Sequence, residues 1–181
     1  MIRGVLLFSL LINTSFAYSQ DYYVGSAVWK LPPCSGFYTV PSHNVYYCTG
    51  TVELPVGDNL YSSSSSTLIA SDGFILRGSN NIQGSSNKKL GLEGDIYSYY
   101  ETGLEHVVLR GDIRSQNYID IDNSDIIGQL TTDYGYVRVN DSTGSIGNVF
   151  SHNGIWMDGA SVVGDITTRN NVVSIVKVKS H

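Results

Sequence analysis

Aliphatic and polar residues alternate in short bursts along the second half of the chain: Tyr-Ile-Asp-Ile-Asp at 118–122, Tyr-Val-Arg-Val at 136–139, Gly-Ile-Trp-Met-Asp at 154–158 and Val-Val-Ser-Ile-Val at 172–176. Such alternation is the mark of a strand with one buried face. It turns Ile119 and Ile121, Val137 and Val139, Ile155 and Met157, and Val173 and Ile175 inward, and Asp120, Arg138, Trp156 and Ser174 outward. A small polar turn follows each of the first three bursts (Asn123-Ser124, Asp141-Ser142, Gly159-Ala160-Ser161). A further short run then carries an aliphatic residue two places before a glycine, as Leu92, Leu109, Ile126 and Val162 show, with Ser145 the exception.

Those glycines set a period. Gly78, Gly94, Gly111, Gly128, Gly147 and Gly164 are spaced 16, 17, 17, 19 and 17 residues apart. From Gly94 onward each is followed by a short polar residue, an aliphatic one and, two places later, a hydroxyl: Ser98, Ser115, Thr132, Ser151 and Thr168. A fixed period of this length means stacked units. Each unit amounts to about three short strands, too small to bury its own apolar side, and stacking closes a shared core. Helix is a poor fit, because Gly, Ser, Asn and Asp interrupt any three- and four-residue apolar spacing. A β-sandwich is the competitor. It does not require the same residue types at matching places in successive units, whereas a parallel β-solenoid stacks equivalent residues about 4.8 Å apart. The expected fold is therefore all-β, a parallel β-solenoid (β-helix) with repeats of about 17 residues and structural turn glycines at Gly94, Gly111, Gly128, Gly147 and Gly164.

The preceding sequence sets the compartment. Residues 1–17 carry a lone Arg3, an apolar run from Val5 to Ile12 and Ser15-Phe16-Ala17 before a plausible cut, the pattern of a secretory signal peptide. No later stretch reaches the roughly 18 apolar residues of a membrane span. Cys34 and Cys48, the only cysteines, enclose 13 residues and are expected to form a disulfide in an exported chain. A loop of that size adds on the order of 3 kcal/mol in the chain-entropy picture. Residues 18–55 are expected to form an N-terminal cap holding this disulfide, and 56–181 the solenoid, with Ser62–Ser66 and the Gly-Ser-Asn stretch at 78–87 as loops or irregular first turns.

Charge narrows the partners. Eleven basic against sixteen acidic residues, a net charge of −5, leave no positive stripe for nucleic acid, and Lys88-Lys89 reads as a solvated loop. Asp95, Asp112, Gln129, Asn148 and Asp165 make a column of oxygen-bearing side chains, but calcium needs six to eight oxygens, and acceptors for turn backbone are the plainer reading. Arg110-Gly111-Asp112 matches an integrin-binding string within the repeat frame that places Gly and Asp there anyway. The hydroxyl column resembles an ice-binding array only weakly. Tyr97, Tyr99, Tyr100, Tyr118, Tyr134, Tyr136, Phe150 and Trp156 cannot all enter an aliphatic core. Tyr97, Tyr118, Tyr136, Phe150 and Trp156 are the candidate contacts for a glycan or partner, against the plainer reading of tyrosines stacked between turns. An enzyme acting on polysaccharides needs clustered carboxylates, and Asp120, Asp122, Asp125, Asp141 and Asp158 are scattered by alternation and turns. His43, His106, His152 and His181 fall at unrelated phases. The chain is read as a non-enzyme, with no catalytic residue, metal or cofactor assigned.

The segment YYCTGTVELPVGDNL (46–60), the serine-rich stretch after it, and the G-D-I and ITTRNNVVSI (166–175) repeats resemble the N-terminal part of Gammaproteobacterial surface proteins of the MshQ type, encoded with the mannose-sensitive haemagglutinin pilus. More distantly they resemble the polymer-forming bactofilins. The resemblance implies a β-solenoid exported to the periplasm or surface of a Gram-negative cell, adhesive, with pilus or other surface proteins and glycans as partners. The chain ends at His181 where the longer relatives continue. Its last strand, VVSIVKVK at 172–179, is expected to stack end to end on another copy or a partner, unless Lys177 and Lys179 guard the edge.

Overall fold

A computed structural model describes residues 19–25, 30–170 and 172–176. The expected signal peptide, Lys177 and Lys179 lie outside them. The described residues form no helix, and their strands stack as a parallel β-solenoid of about 7 turns. Among the described residues no helix is long and apolar enough to cross a membrane.

Each turn runs over three faces. Face I is built from Val52–Leu54, Phe74–Leu76, Ile96–Ser98, Ile113–Ser115, the latter part of Asp125–Thr132, the latter part of Ser145–Ser151, and Ile166–Thr168. Face II is an eight-stranded parallel sheet of Asp21–Val24, Asn59–Ser62, Ser79–Gln83, Glu101–Glu105, Tyr118–Asp122, Tyr136–Asn140, Gly154–Asp158 and Val173–Val176. Face III stacks Val45–Cys48, Thr67–Ala70, Leu90–Glu93 and Val107–Arg110 onto the opening residues of Asp125–Thr132. Strands Asp125–Thr132 and Ser145–Ser151 run unbroken round the corner between faces III and I, which joins these faces into one thirteen-stranded sheet.

The alternation read from the sequence sets which side is core. Ile119, Ile121, Val137, Val139 and Ile155 have no exposed surface, and Met157 is almost as buried. They meet Ile96, Ile113, Leu130 and Val149 of face I and Leu92, Leu109 and Ile126 of face III in one apolar column. Val173 and Ile175 hold the same register, pairing with Ile155 and Met157. They are nevertheless 46% and 40% exposed, because no described strand lies beyond them.

The three corners use three different devices. Between faces I and II the hydroxyls point inward: Ser98, Ser115, Thr132 and Ser151 are fully buried and donate to the carbonyls of Glu101, Tyr100, Gly135 and Gly154. Burial removes them from any ice-binding surface. Between faces II and III a single left-handed residue closes each later turn, in succession His106, Asn123, Asp141 and Gly159 (φ 54°, 48°, 48° and 68°). Between faces III and I lie the repeat glycines. Gly94 and Gly111 have positive φ, and a Cβ on Gly111 or Gly128 would run into the carbonyl of the glycine one turn earlier.

The period is not uniform. Face I equivalents fall at Val52, Phe74, Ile96, Ile113, Leu130, Val149 and Ile166, so the early turns take 22 residues and the later ones 17 or 19. The additional residues sit mostly at the corner between faces II and III, in Ser63–Ser66 and Gly84–Lys89, and in the first of these turns also at the corner between faces III and I, in Ser71–Gly73. Gly78 therefore is not the first member of the glycine column. Since Ile69 pairs with Glu93, the place below Gly94 belongs to Ala70, whose carbonyl a Cβ on Gly94 would meet. Gly78 stands at another corner, where its N–H donates to Asn80 Oδ1 (3.0 Å). The stretch 78–87, expected as a loop or an irregular first turn, contributes the face II strand Ser79–Gln83 to one of the longer early turns.

Cys34 and Cys48 are bonded, with Cα atoms 6.0 Å apart. The bond fastens the antiparallel pair Tyr38–Ser42 and Val45–Cys48 at the N-terminal end, where Leu31, Cys34 and Tyr38 pack on the core. Residues 18–55 also supply Asp21–Val24, Val45–Cys48 and Val52–Leu54, each parallel to the strand of the next turn.

Candidate functional site

Outward positions of face II are aligned into columns by the register. One column runs Glu101, Tyr118, Tyr136, Gly154. The next runs Asn81, Gly103, Asp120, Arg138, Trp156, and the third Tyr61, Gln83, Glu105, Asp122, Asn140, Asp158. Parallel in-register stacking puts like positions one strand spacing apart, so side chains meet along the solenoid axis.

The aromatic residues form a continuous row. Tyr118 and Tyr136 have ring centroids 4.4 Å apart at 33°, and Tyr136 meets Trp156 edge-on at 5.3 Å. Trp156 begins one column over, but Gly154 has no side chain and the indole leans back across it. A Cβ at Gly154 would lie 2.9 Å from Cη2 of the indole.

Beside this row Gly103 leaves a notch. A depression of about 370 Å³ is floored by Gly103 and walled by Tyr61, Gln83, Glu105, Asp122, Arg138 and Asn140. A smaller recess of about 170 Å³ adjoins it over Gly103 and reaches Glu101, Tyr118 and Tyr136. Together they make a shallow trough along the axis, polar on one side and aromatic on the other. Gln83 donates to Glu105 (2.7 Å), and the Arg138 guanidinium grips both oxygens of Asp120, its Nε at 2.8 Å. That hydrogen-bonded pairing raises the Arg138 pKa, with the field of Asp120 adding to it. Among the described residues of these columns Arg138 is the sole basic side chain, against Glu101, Glu105, Asp120, Asp122 and Asp158.

Three of the five aromatic candidates are thus brought together and two are not. Tyr97 lies on face I opposite Ile75 and Arg114, its ring edge-on to Tyr99 (4.9 Å) and its hydroxyl accepting from Gln116 (3.2 Å). Phe150 is also on face I, between Thr131 and Thr167. The oxygen column turns out to hold backbone. Asp95 Oδ1 accepts from the N–H of Asp112 (2.8 Å), Asp112 from Gln129 (2.8 Å) and Asn148 from Asp165 (2.9 Å), one turn to the next. The aspartate of the Arg-Gly-Asp string is among these acceptors. Asp125 faces elsewhere, bound to Lys89 (2.9 Å) and to the Thr143 hydroxyl, and Asp141 sits in a left-handed corner.

Sequence reasoning passed over Gly103, Glu101, Glu105, Gln83 and Asn81. The signal was available in Glu-Thr-Gly-Leu-Glu at 101–105, which alternates once Thr102 is counted as inward, one turn before Tyr118–Asp122.

Comparison with protein-family models, with curated proteins and with solved structures finds no match for this chain.

Proposed function

We propose that the protein is an exported β-solenoid of the cell surface that acts as a rigid scaffold for adhesion, with face II as its binding face. The observation that carries this reading is the Tyr118–Tyr136–Trp156 row set beside the Gly103 notch. An exposed indole and two half-buried tyrosine rings next to a polar trough are a binding surface, and a stacked sheet holds them without a cost in ordering. The disulfide fits an oxidising compartment, and the pattern at 1–17 fits export. The similarity of 46–60 and 166–175 to MshQ-type proteins suggests a pilus or envelope setting. Binding is favoured over catalysis because Asp120, in the column beside the row, is held by Arg138 and accepts from it through both oxygens. The test is attachment of cells displaying the chain to host or biofilm surfaces. Loss of attachment in Tyr136→Ala and Trp156→Ala, with surface display unchanged, supports the reading. Unchanged attachment in both refutes it.

A further inference from the structure

We infer that the face II trough takes a linear glycan bearing free amino groups, laid along the solenoid axis; this rests on the proposal that face II is the binding face. Three features of the trough converge on that ligand class.

The first is shape. A trough that crosses successive strands presents one rung per turn, about 4.8 Å apart. A linear β-linked sugar chain advances by a similar length per unit, so one ring can stay over one rung. Tyr118, Tyr136 and Trp156 supply those rungs, with Tyr118 and Tyr136 also walling the recess above Gly103. Tyr118 and Tyr136 lie against each other and offer a sugar their edges and hydroxyls, while the exposed Trp156 indole offers a ring on which the C–H face of a pyranose packs.

The second is the notch. Gly103 is the one residue without a side chain between Asn81 and Asp120 in its column, and it is flanked by Glu101 and Glu105 on its own strand. A substituent projecting from a sugar ring enters there and meets carboxylate oxygens and the amides of Asn81, Gln83 and Asn140.

The third is charge. Glu101, Glu105 and Asp122 line the two recesses, while Arg138, the one cation, is neutralised by Asp120. An ammonium group gains from the carboxylates, whereas a uronate or sulfate is repelled. Aromatic rungs alone would accept neutral and amino sugars alike. The acidic notch makes the distinction.

Calorimetry on the purified chain with glucosamine hexamer, N-acetylglucosamine hexamer, hexagalacturonate and hexalysine tests this. Glucosamine hexamer is expected to bind about tenfold tighter than its acetylated counterpart, with no binding of hexagalacturonate. Asp122→Asn combined with Glu105→Gln should bring the two neutral-backbone sugars within about threefold of each other. Trp156→Ala should weaken both by about tenfold with the dichroism spectrum unchanged. Gly103→Ser fills the notch at the expense of the movable Asn81 side chain and should act the same way. Equal affinity for the two sugars, or hexalysine bound as tightly as glucosamine hexamer, overturns the ligand class. If no sugar binds while Trp156→Ala still abolishes attachment, the ligand class falls and the binding face stands. If Trp156→Ala changes neither, both fall.

Discussion

The indole of Trp156 reaches back across Gly154 to meet the Tyr136 ring edge-on at 5.3 Å, so the aromatic row on face II depends on a residue with no side chain. Tyr136 and Gly154 are register partners, and the missing Cβ is what lets a side chain from the next column enter theirs.

Gly154→Val therefore displaces the indole without removing it. In a Trp29→Phe background, where Trp156 is the remaining tryptophan, the emission maximum should move to longer wavelength as the ring enters water. The lost aromatic pair should lower stability by about 1 kcal/mol, read from the urea midpoint. An unshifted emission maximum would show that Gly154 does not hold the indole in place.

The glycine column should be unequal in its tolerance. Gly128→Ala drives a Cβ into the Gly111 carbonyl, backbone that cannot swing aside, and should cost on the order of 3 kcal/mol. At Gly147 the nearest atom to such a Cβ is Cγ of Gln129 at 3.3 Å, a flexible side chain. Gly147→Ala should cost less than about 1 kcal/mol. Denaturant midpoints of the two variants, compared side by side, check the ordering.

Two buried serines at the corner between faces II and III should respond in opposite ways. Ser124 Oγ accepts from the N–H of Val107 (3.0 Å) and donates to the Asp122 carbonyl (2.9 Å), so Ser124→Ala strands a buried donor and should cost about 1–3 kcal/mol. The hydroxyl of Ser142, its equivalent one turn on, is buried without a hydrogen-bond partner. Ser142→Ala should leave stability unchanged within about 0.5 kcal/mol or raise it. Thermal melts of the pair decide the matter.

Acid should weaken the links that tie Asp125 to Lys89, two turns before it, and to Thr143, one turn after it. Burial acts to raise its pKa, but the hydrogen bonds from Thr143 and Lys89 outweigh burial and hold it below the usual aspartate value. Glu53 is lowered chiefly by its hydrogen bond to Arg77. A depressed carboxylate stabilises the fold above its unfolded pKa, near 4, and loses that contribution as pH falls through the folded value. Stability should thus decline below about pH 4, and Asp125→Asn should show a shallower decline than the parent chain. Melting temperatures between neutral pH and pH 3 measure the slope.

The residues that announce the fold are those whose side chain and backbone constraint coincide. Ile119, Ile121, Val137 and Val139 alternate because the core accepts nothing else there, and Gly94, Gly111 and Gly128 recur because a Cβ would strike the turn before. Where several residue types satisfy one backbone requirement, the pattern disappears. His106, Asn123, Asp141 and Gly159 share a left-handed φ and no common side chain, so this column is visible only in three dimensions. The early turns were obscured by their length, since residues inserted at a corner shift every later position and bring Gly78 into a false register with Gly94. The trough was hidden for a different reason. Its central feature is an absence at Gly103, and an absence has meaning only once Asn81 and Asp120 are known to stand on either side of it.

The three corner columns also make each later turn a self-contained module. Residues 118–135 carry one strand of face II, the left-handed corner at Asn123, the column glycine Gly128 and the corner hydroxyl of Thr132, and they mate with the same devices above and below. Duplicating such a module would lengthen the aromatic row by one tyrosine, about 4.8 Å, and leave the disulfide-fastened end untouched. The reach of this surface is accordingly governed by copy number, so unequal recombination within the gene can change the length of ligand engaged without altering any single contact.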